Sequence, residues 1–512
     1  MKSARSAAGV VLLVLAAVAL PHPTLAQQAA VSEAAPTMAE SEAAYRAGDY
    51  AKAIGIVRVL AEAGDAFAQY RLGYMTALGQ GTEKDLKAAA GWFRKAADQG
   101  ETSALLQLGV FHVQGTGVER SETEAARLFK LAAEKGNALA QLYVGQMYLA
   151  GAGIEKNEVA GLTWIMSAAR AGSAEAQFKL GSIYATGEGA TKDPKEARKW
   201  FELAAENGLA SAQYTLASNL MAGTGIEKDE AKALEWYRKA ADQGMPAAQR
   251  DLGGIYLAGI DGKPDYALAY DWTRKAADAG DAGALSNLGY MYYSGKGVPQ
   301  DDQRAAEAYG KAAEKGLARS AAALGVLYQA GRGVEQSDEK AAEWYRKGAL
   351  GGDRNALSAL VVLIADGRAG LQDADAALWV ALAAKGGDAA ARSWLEAKAG
   401  EGSAAAQSRL AELIDSETHD AAADARAVAL YLEAAGAGDG LAQLALARKY
   451  AAGEGVDQDY VAAHQWANIA ATDGNEDAVK LRDNLSKLMT REQIADAQKK
   501  AREWTAKARD GG

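Results

Sequence analysis

Residues 172–208 read GSAEAQFKLGSIYATGEGATKDPKEARKWFELAAENG. Two helical patterns lie in this stretch. Ala176, Leu180, Ile183 and Tyr184 recur at helical spacing in the first half, and Ala197, Trp200, Phe201, Ala204 and Ala205 in the second. Gly187-Glu188-Gly189 interrupts the first pattern. Asp193-Pro194 opens the second, with aspartate as cap and proline as the first helical residue.

The pattern recurs along the chain. A glycine followed by an alanine-rich stretch falls at Gly64, Gly100, Gly136, Gly172, Gly208, Gly244, Gly280, Gly316 and Gly352, each 36 residues after the last. The same period returns at Gly402, Gly438 and Gly474. Repeats are numbered here from the glycine that opens them, so repeat one begins at Gly64, repeat nine at Gly352 and repeat ten at Gly402. Positions 85, 121, 157, 193, 229, 265, 301, 337 and 373 hold Asp, Ser, Asn, Asp, Asp, Asp, Asp, Ser and Asp. All are good N-caps, each contributing about 1 kcal/mol to its helix. The opening glycines suit the left-handed position beyond a helix C-terminus.

One segment invites another reading. In LGYMYYSGKGVPQ (288–300) a lysine stands between Gly295 and Gly297, as in a loop that wraps phosphate. The glycine pair recurs at 79/81, 115/117, 151/153, 187/189, 223/225, 331/333 and 453/455, and the residue between varies from Lys296 and Arg332 to Glu188 and Glu454. A glutamate there would repel a phosphate, and no strand leads into the loop. The constant need is a glycine backbone at a helix-to-helix turn. A further glycine lies inside the first helix at 73, 109, 145, 181, 253, 289 and 325, at a cost of roughly 1 kcal/mol each relative to alanine. Close approach of the paired helix offsets that cost, and alanines such as Ala96-Ala97, Ala240-Ala241 and Ala276-Ala277 are expected to supply the matching small surface.

The combined pattern resembles the SEL-one-like repeat (SLR), a relative of the tetratricopeptide repeat. Leu324-Gly325, Tyr328, Gly331-Arg332-Gly333-Val334, Ala341, Trp344-Tyr345-Arg346-Lys347 and Ala349 carry it, and the likeness covers about residues 42 to 504. Repeat six has Gly259-Ile260-Asp261-Gly262 for its turn, repeat nine has Gly367-Arg368-Ala369-Gly370 and is one residue short, and repeat ten lacks the glycine pair around Ile414-Asp415-Ser416. A single helix pair buries one face only, so neighbours must stack. The expected fold is all-α, a right-handed α–α superhelix (solenoid) of about eleven 36-residue helix-turn-helix repeats with N- and C-terminal capping helices. Residues 1–26 read as a signal peptide, 27–41 as a flexible lead-in and 42–63 as an N-terminal capping pair. Repeats one to nine fill 64–387, an inserted helix with Trp394 forms a joint at 388–401, repeats ten and eleven fill 402–474, and a C-terminal cap and tail occupy 475–512. Thr490 and Gln493 form a capping box for the last helix.

The signal reading rests on Lys2 and Arg5 before the apolar run of residues 7–20, followed by Pro21, Pro23 and Thr24-Leu25-Ala26. Cleavage would start the mature chain at Gln27 and take the formal net charge from −10 to −12, since two basic residues leave and no acidic ones. An acidic surface makes nucleic acid a poor partner, and no later stretch is long and apolar enough for stable membrane insertion. The sequence has no cysteine. Disulfides, thiolate zinc sites, cysteine nucleophiles and lipoprotein anchoring are thereby excluded. A periplasmic or secreted location is expected.

No catalytic, cofactor-binding or metal-binding residue is singled out. His112 sits at the repeat's tyrosine position, His419 beside Asp420 in the divergent repeat, and His464 two residues before Trp466. They share no repeat position, and scattered histidines do not converge on a metal. Tryptophans at 92, 164, 200, 236, 272, 344, 379 and 466 share one position and read as inter-repeat packing, not a carbohydrate platform. Arg94-Lys95, Arg238-Lys239, Arg274-Lys275 and Arg346-Lys347 read as a solvated face with buried stems. The resemblance implies a non-enzymatic exported scaffold that binds protein or peptide ligands in a concave groove, with a membrane sensor or an envelope assembly as the partner and no cofactor. The alternative is a polysaccharide- or peptidoglycan-binding protein, or a cell-wall or β-lactam-acting enzyme. The divergent region 366–424 is the place to seek a special contact.

Overall fold

A computed structural model of the chain describes residues 37–510 apart from 225, 260, 261, 418 and 419. The signal segment and most of the lead-in lie outside the described residues, as does His419. Among the described residues the chain forms 27 α-helices and no strand. They divide into two compact units, residues 1–252 and 253–512, with the division inside the Pro246–Ala258 helix. Each unit is an α-solenoid of consecutive helix pairs.

Repeat four shows the construction. Its first helix, Ala174–Thr186, starts where the Ser173 hydroxyl accepts from the Ala176 amide and stops at Gly187, whose φ is 84°. Its second helix, Pro194–Glu206, starts where Asp193 accepts from the Lys195 and Glu196 amides. The caps at 85, 121, 157, 193, 229, 265, 301 and 337 all bond the first turn of their helices. Asp373 does not. It is the first residue of the Asp373–Lys385 helix, Gln372 is the cap without a side-chain bond, and Asp373 Oδ2 accepts from Ser403 Oγ at 2.6 Å. Repeat nine lost its residue in the turn after Gly367, so its second helix starts one place early and the aspartate falls inside it.

The helix glycines do mark close approach, but the partner is not alanine. A Cβ at Gly73, Gly109, Gly181, Gly289 or Gly325 would meet the ring of Phe93, Phe129, Phe201, Tyr309 or Tyr345 at 2.5–2.8 Å. Each ring comes from the second helix, 20 residues on, and its edge atoms take up the space of the missing Cβ. The alanine pairs turn the other way, toward the next repeat. Ala204 and Ala205 pack with Ala212, Leu216 and Leu220, and Ala276 and Ala277 with Ala284 and Leu285. A flat ring uses the space a missing Cβ leaves, whereas alanine allows whole helices from adjacent repeats to sit side by side.

A buried amide ties many repeats together. Gln69, Gln141, Gln177, Gln213, Gln249, Gln407 and Gln443 each donate from Nε2 to a carbonyl eight residues earlier, in the last turn of the preceding second helix. Each of those carbonyls also accepts from the backbone amide three residues on, so the glutamine is a second donor that joins the next repeat to the helix end. Each such bond contributes about 1 kcal/mol.

Both ends are closed. Thr37 and Glu40 box the Met38–Arg46 helix, and Asp49 caps Tyr50–Glu62. Arg71 reaches back from repeat one, 4.9 Å from the Tyr45 ring and 3.3 Å from Glu42. At the other end the Thr490–Gln493 box forms as expected. The last helix, Arg491–Asp510, packs Trp504 against Trp466 at 5.7 Å with the rings edge to face.

The two kinds of glycine should respond differently to alanine. Gly325→Ala is expected to cost no more than about 1 kcal/mol, because helix propensity gains roughly as much as the overlap with Tyr345 loses. Repeat five already carries alanine there, with Ala217 opposite the buried Tyr237. Gly297→Ala should cost about 3 kcal/mol, because φ is +77° and the new Cβ would overlap the Tyr266 carbonyl, a backbone atom that cannot swing away. Urea unfolding of the two variants measures the order, and the reverse order would contradict this account.

Candidate binding surface

On each first helix the residue after the helix glycine looks away from the paired second helix. Residues three to four places before and after it share that face. In the second unit this position holds Tyr290, Val326 and Val362 in successive repeats, 39%, 46% and 54% exposed. In the first unit Tyr74 at the equivalent place is half-buried against Arg71, Val110 is buried, and Gln146, Ser182 and Ser218 are polar. The apolar row therefore belongs to repeats seven, eight and nine, on the helices Ala282–Ser294, Ala318–Ala330 and Arg354–Ala365.

Cross-repeat bonds hold the row in register. Arg319 donates from Nε to Ser286 Oγ at 3.3 Å. Arg332, in the turn of repeat eight, forks onto Asp302 of repeat seven at 2.8 and 2.9 Å and lies 4.1 Å from the Tyr293 ring. Its guanidinium holds the Asp302 carboxyl below the usual carboxylate range. Arg368 makes the same fork one repeat on, to Asp338 at 2.8 and 3.0 Å. Within repeat eight, Tyr345 donates its hydroxyl to Gln329 Oε1 at 2.8 Å.

Lys296, the lysine of the SGKG turn, serves the same row. Its ammonium donates to the Tyr290 hydroxyl at 2.7 Å, 4.9 Å from that ring and 5.8 Å from Tyr266. The turn thus orients a tyrosine. The tryptophans pack between repeats as expected, Trp200 and Trp236 beside the inter-repeat clusters of Leu180 and Leu216. The lysines of the recurring pairs have a role the sequence reading missed. Lys95, Lys239, Lys275 and Lys347 each place their ammonium 3.8–4.0 Å from the centre of the tryptophan three residues before. The spacing of three on a helix was the available signal.

His112 and His464 lie far apart in sequence and in different units. His112 is buried and donates from Nδ1 to the Glu119 carbonyl at 3.0 Å. His464 is buried with Nε2 3.0 Å from Ser486 Oγ. Among the described residues no group of three or more histidines or carboxylates is placed to hold a metal ion.

The divergent region is built around its odd helix. Ala389–Gly400 packs between Asp373–Lys385 and Ala404–Glu417, which also touch each other. Leu378 and Leu382 remain 41% and 48% exposed beside Leu413 and Arg409, around a depression of about 150 Å³.

The Sel1 repeat profile matches residues 66–101, 102–137, 138–173, 174–209, 210–245, 246–281, 282–317, 318–353 and 440–475, more than half of the chain. The chain belongs to the Sel1 repeat family. Among solved structures it is similar to c5321, a protective antigen present in uropathogenic Escherichia coli strains that displays an SLR fold. The two share 32% identity over 89% of this chain and 95% of that one, with a TM-score of 0.56. It is also similar to a Sel1 repeat protein from Oxalobacter formigenes, at 31% identity over 67% of this chain and 97% of that one, with a TM-score of 0.44. No curated protein matches the sequence.

Repeat ten departs furthest from the Sel1 pattern. In place of the seven-residue glycine turn, three residues join Ala404–Glu417 to Ala421–Gly436. Lys449, on the first helix of repeat eleven, stands where other Sel1 repeats place Met75, Met147, Ile183, Met291 or Leu327. Its side chain is only 9% exposed, and its ammonium lies 2.9 Å from Asp415, 3.5 Å from Asp424 and 3.5 Å from Glu454. Burial alone would push this ammonium down. The Asp415 bond and the other two carboxylates outweigh it and hold Lys449 above the usual lysine range. Tyr431 donates to Asp415 Oδ2 at 3.2 Å, and burial followed by the Asp415 charge pushes its phenol upward. An ionic clasp replaces the missing turn.

Two outcomes follow. Lys449→Met should cost about 3 kcal/mol although methionine is the residue found there in other repeats, because Asp415 and Asp424 are left without their cation. Lys449→Met combined with Asp415→Leu should recover much of that loss in thermal melts. A full contribution from Lys449 is expected below pH 10, declining only as pH rises through its raised value. His464 behaves in the opposite sense. Burial, then Arg482, lowers its folded-state value below the ordinary 6.5. Its contribution is present above that ordinary value and is lost as pH falls toward the folded one. The C-terminal cap should therefore lose stability as pH falls below 6.5, less so in His464→Gln, as measured by Trp504 quenching. An equal pH dependence in the variant would remove His464 from the account.

Proposed function

We propose that this Sel1 repeat protein is an exported, non-enzymatic adaptor that binds a protein or peptide partner along the first-helix face of repeats seven to nine. The row Tyr290, Val326 and Val362 carries the reading. Three apolar side chains stand exposed at one register on consecutive helices, while the cross-repeat forks of Arg332 and Arg368 fix their spacing. A pre-organised surface loses little freedom on binding, and a tyrosine beside aliphatic groups suits a polypeptide with apolar side chains at matching intervals. Arg319, at the edge of the row, favours a partner with an acidic flank. The Lys2, Arg5 and 7–20 pattern supports export, and a periplasmic partner such as a sensor or an assembly factor fits that location.

A photo-crosslinking residue at position 326 or 362 should capture one discrete partner in intact cells. Val326→Asp with Val362→Asp should abolish capture by a crosslinker at 290 without changing the helical circular dichroism. Mass spectrometry of the captured species should find the adaptor starting at Gln27. Capture that persists in the double variant removes this face from consideration, and a chain that retains Met1 in the cytoplasm removes the export reading.

A further inference from the structure

The tryptophan position of the second helix holds no ring in repeats two, seven and ten, where Leu128, Ala308 and Leu430 stand, and only in repeat seven is the replacement as small as alanine. Twenty-eight residues after the opening glycine stand Trp92, Trp164, Trp200, Trp236, Trp272 and Trp344, and repeat two has Leu128 there, buried at 2% exposure. Repeat seven has Ala308. In four repeats the lysine three residues on covers the indole face at 3.8–4.0 Å. Repeat seven keeps that lysine, Lys311, with no indole beneath it.

The space is open. A groove of about 720 Å³ is lined by Leu285, Leu288, Tyr292, Ala308 and Lys311, among others. The equivalent groove two repeats earlier, about 500 Å³, is lined by Leu216, Leu220 and Trp236. Leu216 corresponds to Leu288, Leu220 to Tyr292 and Trp236 to Ala308, each 72 residues apart. Leu288 keeps the leucine of the floor, Tyr292 puts a ring faced by Arg304 where Leu220 stood, the indole is gone, and the lysine that would cover it remains.

We infer that the repeat-seven groove receives an aromatic side chain, above all the tryptophan of a partner polypeptide, seated on Leu288 and Tyr292 beneath Lys311. An aliphatic side chain would fill the floor but leave the ammonium unused, whereas an indole face attracts it. Asp278 and Glu307 line the same groove beside Arg304, which is already paired with Asp301 and lies 5.7 Å from the Tyr292 ring. A free indole compound would reach only the floor and Lys311. This site shares with the preceding reading the premise of a polypeptide partner, but it uses different residues and can be tested apart from it.

The test uses the full mature chain and fluorine NMR, since the protein's own tryptophans are then silent. The probes are N-acetyl-5-fluorotryptophanamide and a library of peptides with one central 5-fluorotryptophan. Wild type should bind the amide saturably with Kd on the order of 1 mM and some peptides at least ten-fold tighter. N-acetylleucinamide should not compete. Ala308→Trp should abolish binding and raise the melting temperature by a few degrees, as filling a void does. Ala308→Leu, which places at this position the residue type of Leu128, should also block the groove and guards against a misfolded tryptophan variant. Lys311→Met should weaken binding about two- to five-fold. Val326→Asp should leave it unchanged, which separates failure here from failure of the first-helix face. Four results would overturn the assignment: no saturation below about 10 mM, equal binding by the Ala308 variants, competition by N-acetylleucinamide, or a free amide that binds as tightly as every peptide.

Discussion

Each helix pair in this chain has two faces to cover and can cover only one by itself. In five repeats the pair's own interface is settled by a ring packed against a glycine, as Tyr345 packs against Gly325. The other face needs the next repeat. Alanine pairs bring adjacent helices together, a buried glutamine takes up the carbonyls at the preceding helix end, and the second turn glycine lets the chain pass against its neighbour's backbone. Stability in such a chain is largely a sum of nearest-neighbour interfaces. A change at one interface is felt most by the two repeats that share it.

That economy gives meaning to departures from the pattern. Where methionine or leucine is usual, Lys449 sits in a cage of carboxylates, and the repeat before it has lost its glycine turn. Where tryptophan is usual, Ala308 leaves a groove under a waiting lysine. Where the first-helix face of the early repeats is polar or covered, repeats seven to nine expose a tyrosine and two valines. Scaffold positions are set by packing against neighbours, so a change there needs either a compensating change or a ligand. Lys449 has the first kind of explanation. At Ala308 no ring replaces the indole, and the groove above it is lined by Tyr292 and Arg304 of the same repeat.

Charge follows the same division. The Arg332–Asp302 and Arg368–Asp338 forks recur at one register and act between repeats. Bidentate geometry makes them better register pins than most surface ion pairs, which contribute little singly. The lysines over tryptophans cover indole faces. Neither set requires a ligand.

The 36-residue period, the caps and the glycine turns were legible in the sequence because backbone demands are local. An N-cap needs a short polar side chain and a left-handed turn needs glycine, whatever lies around them. The slip at Asp373 was half legible, since the missing residue could be counted but not placed in the turn. The partner of the helix glycines was misread as alanine because a close approach is visible in sequence and the identity of what approaches is not. The Lys449 clasp, the Lys296–Tyr290 contact and the hollow beside Ala308 depend on which residues from neighbouring helices meet in space. Sequence alone determined the repeat and its fold, because those follow from each residue's own conformational preferences. Only the tertiary structure decided which faces are used up and which are left for a partner, because that is a property of surfaces brought together from several repeats.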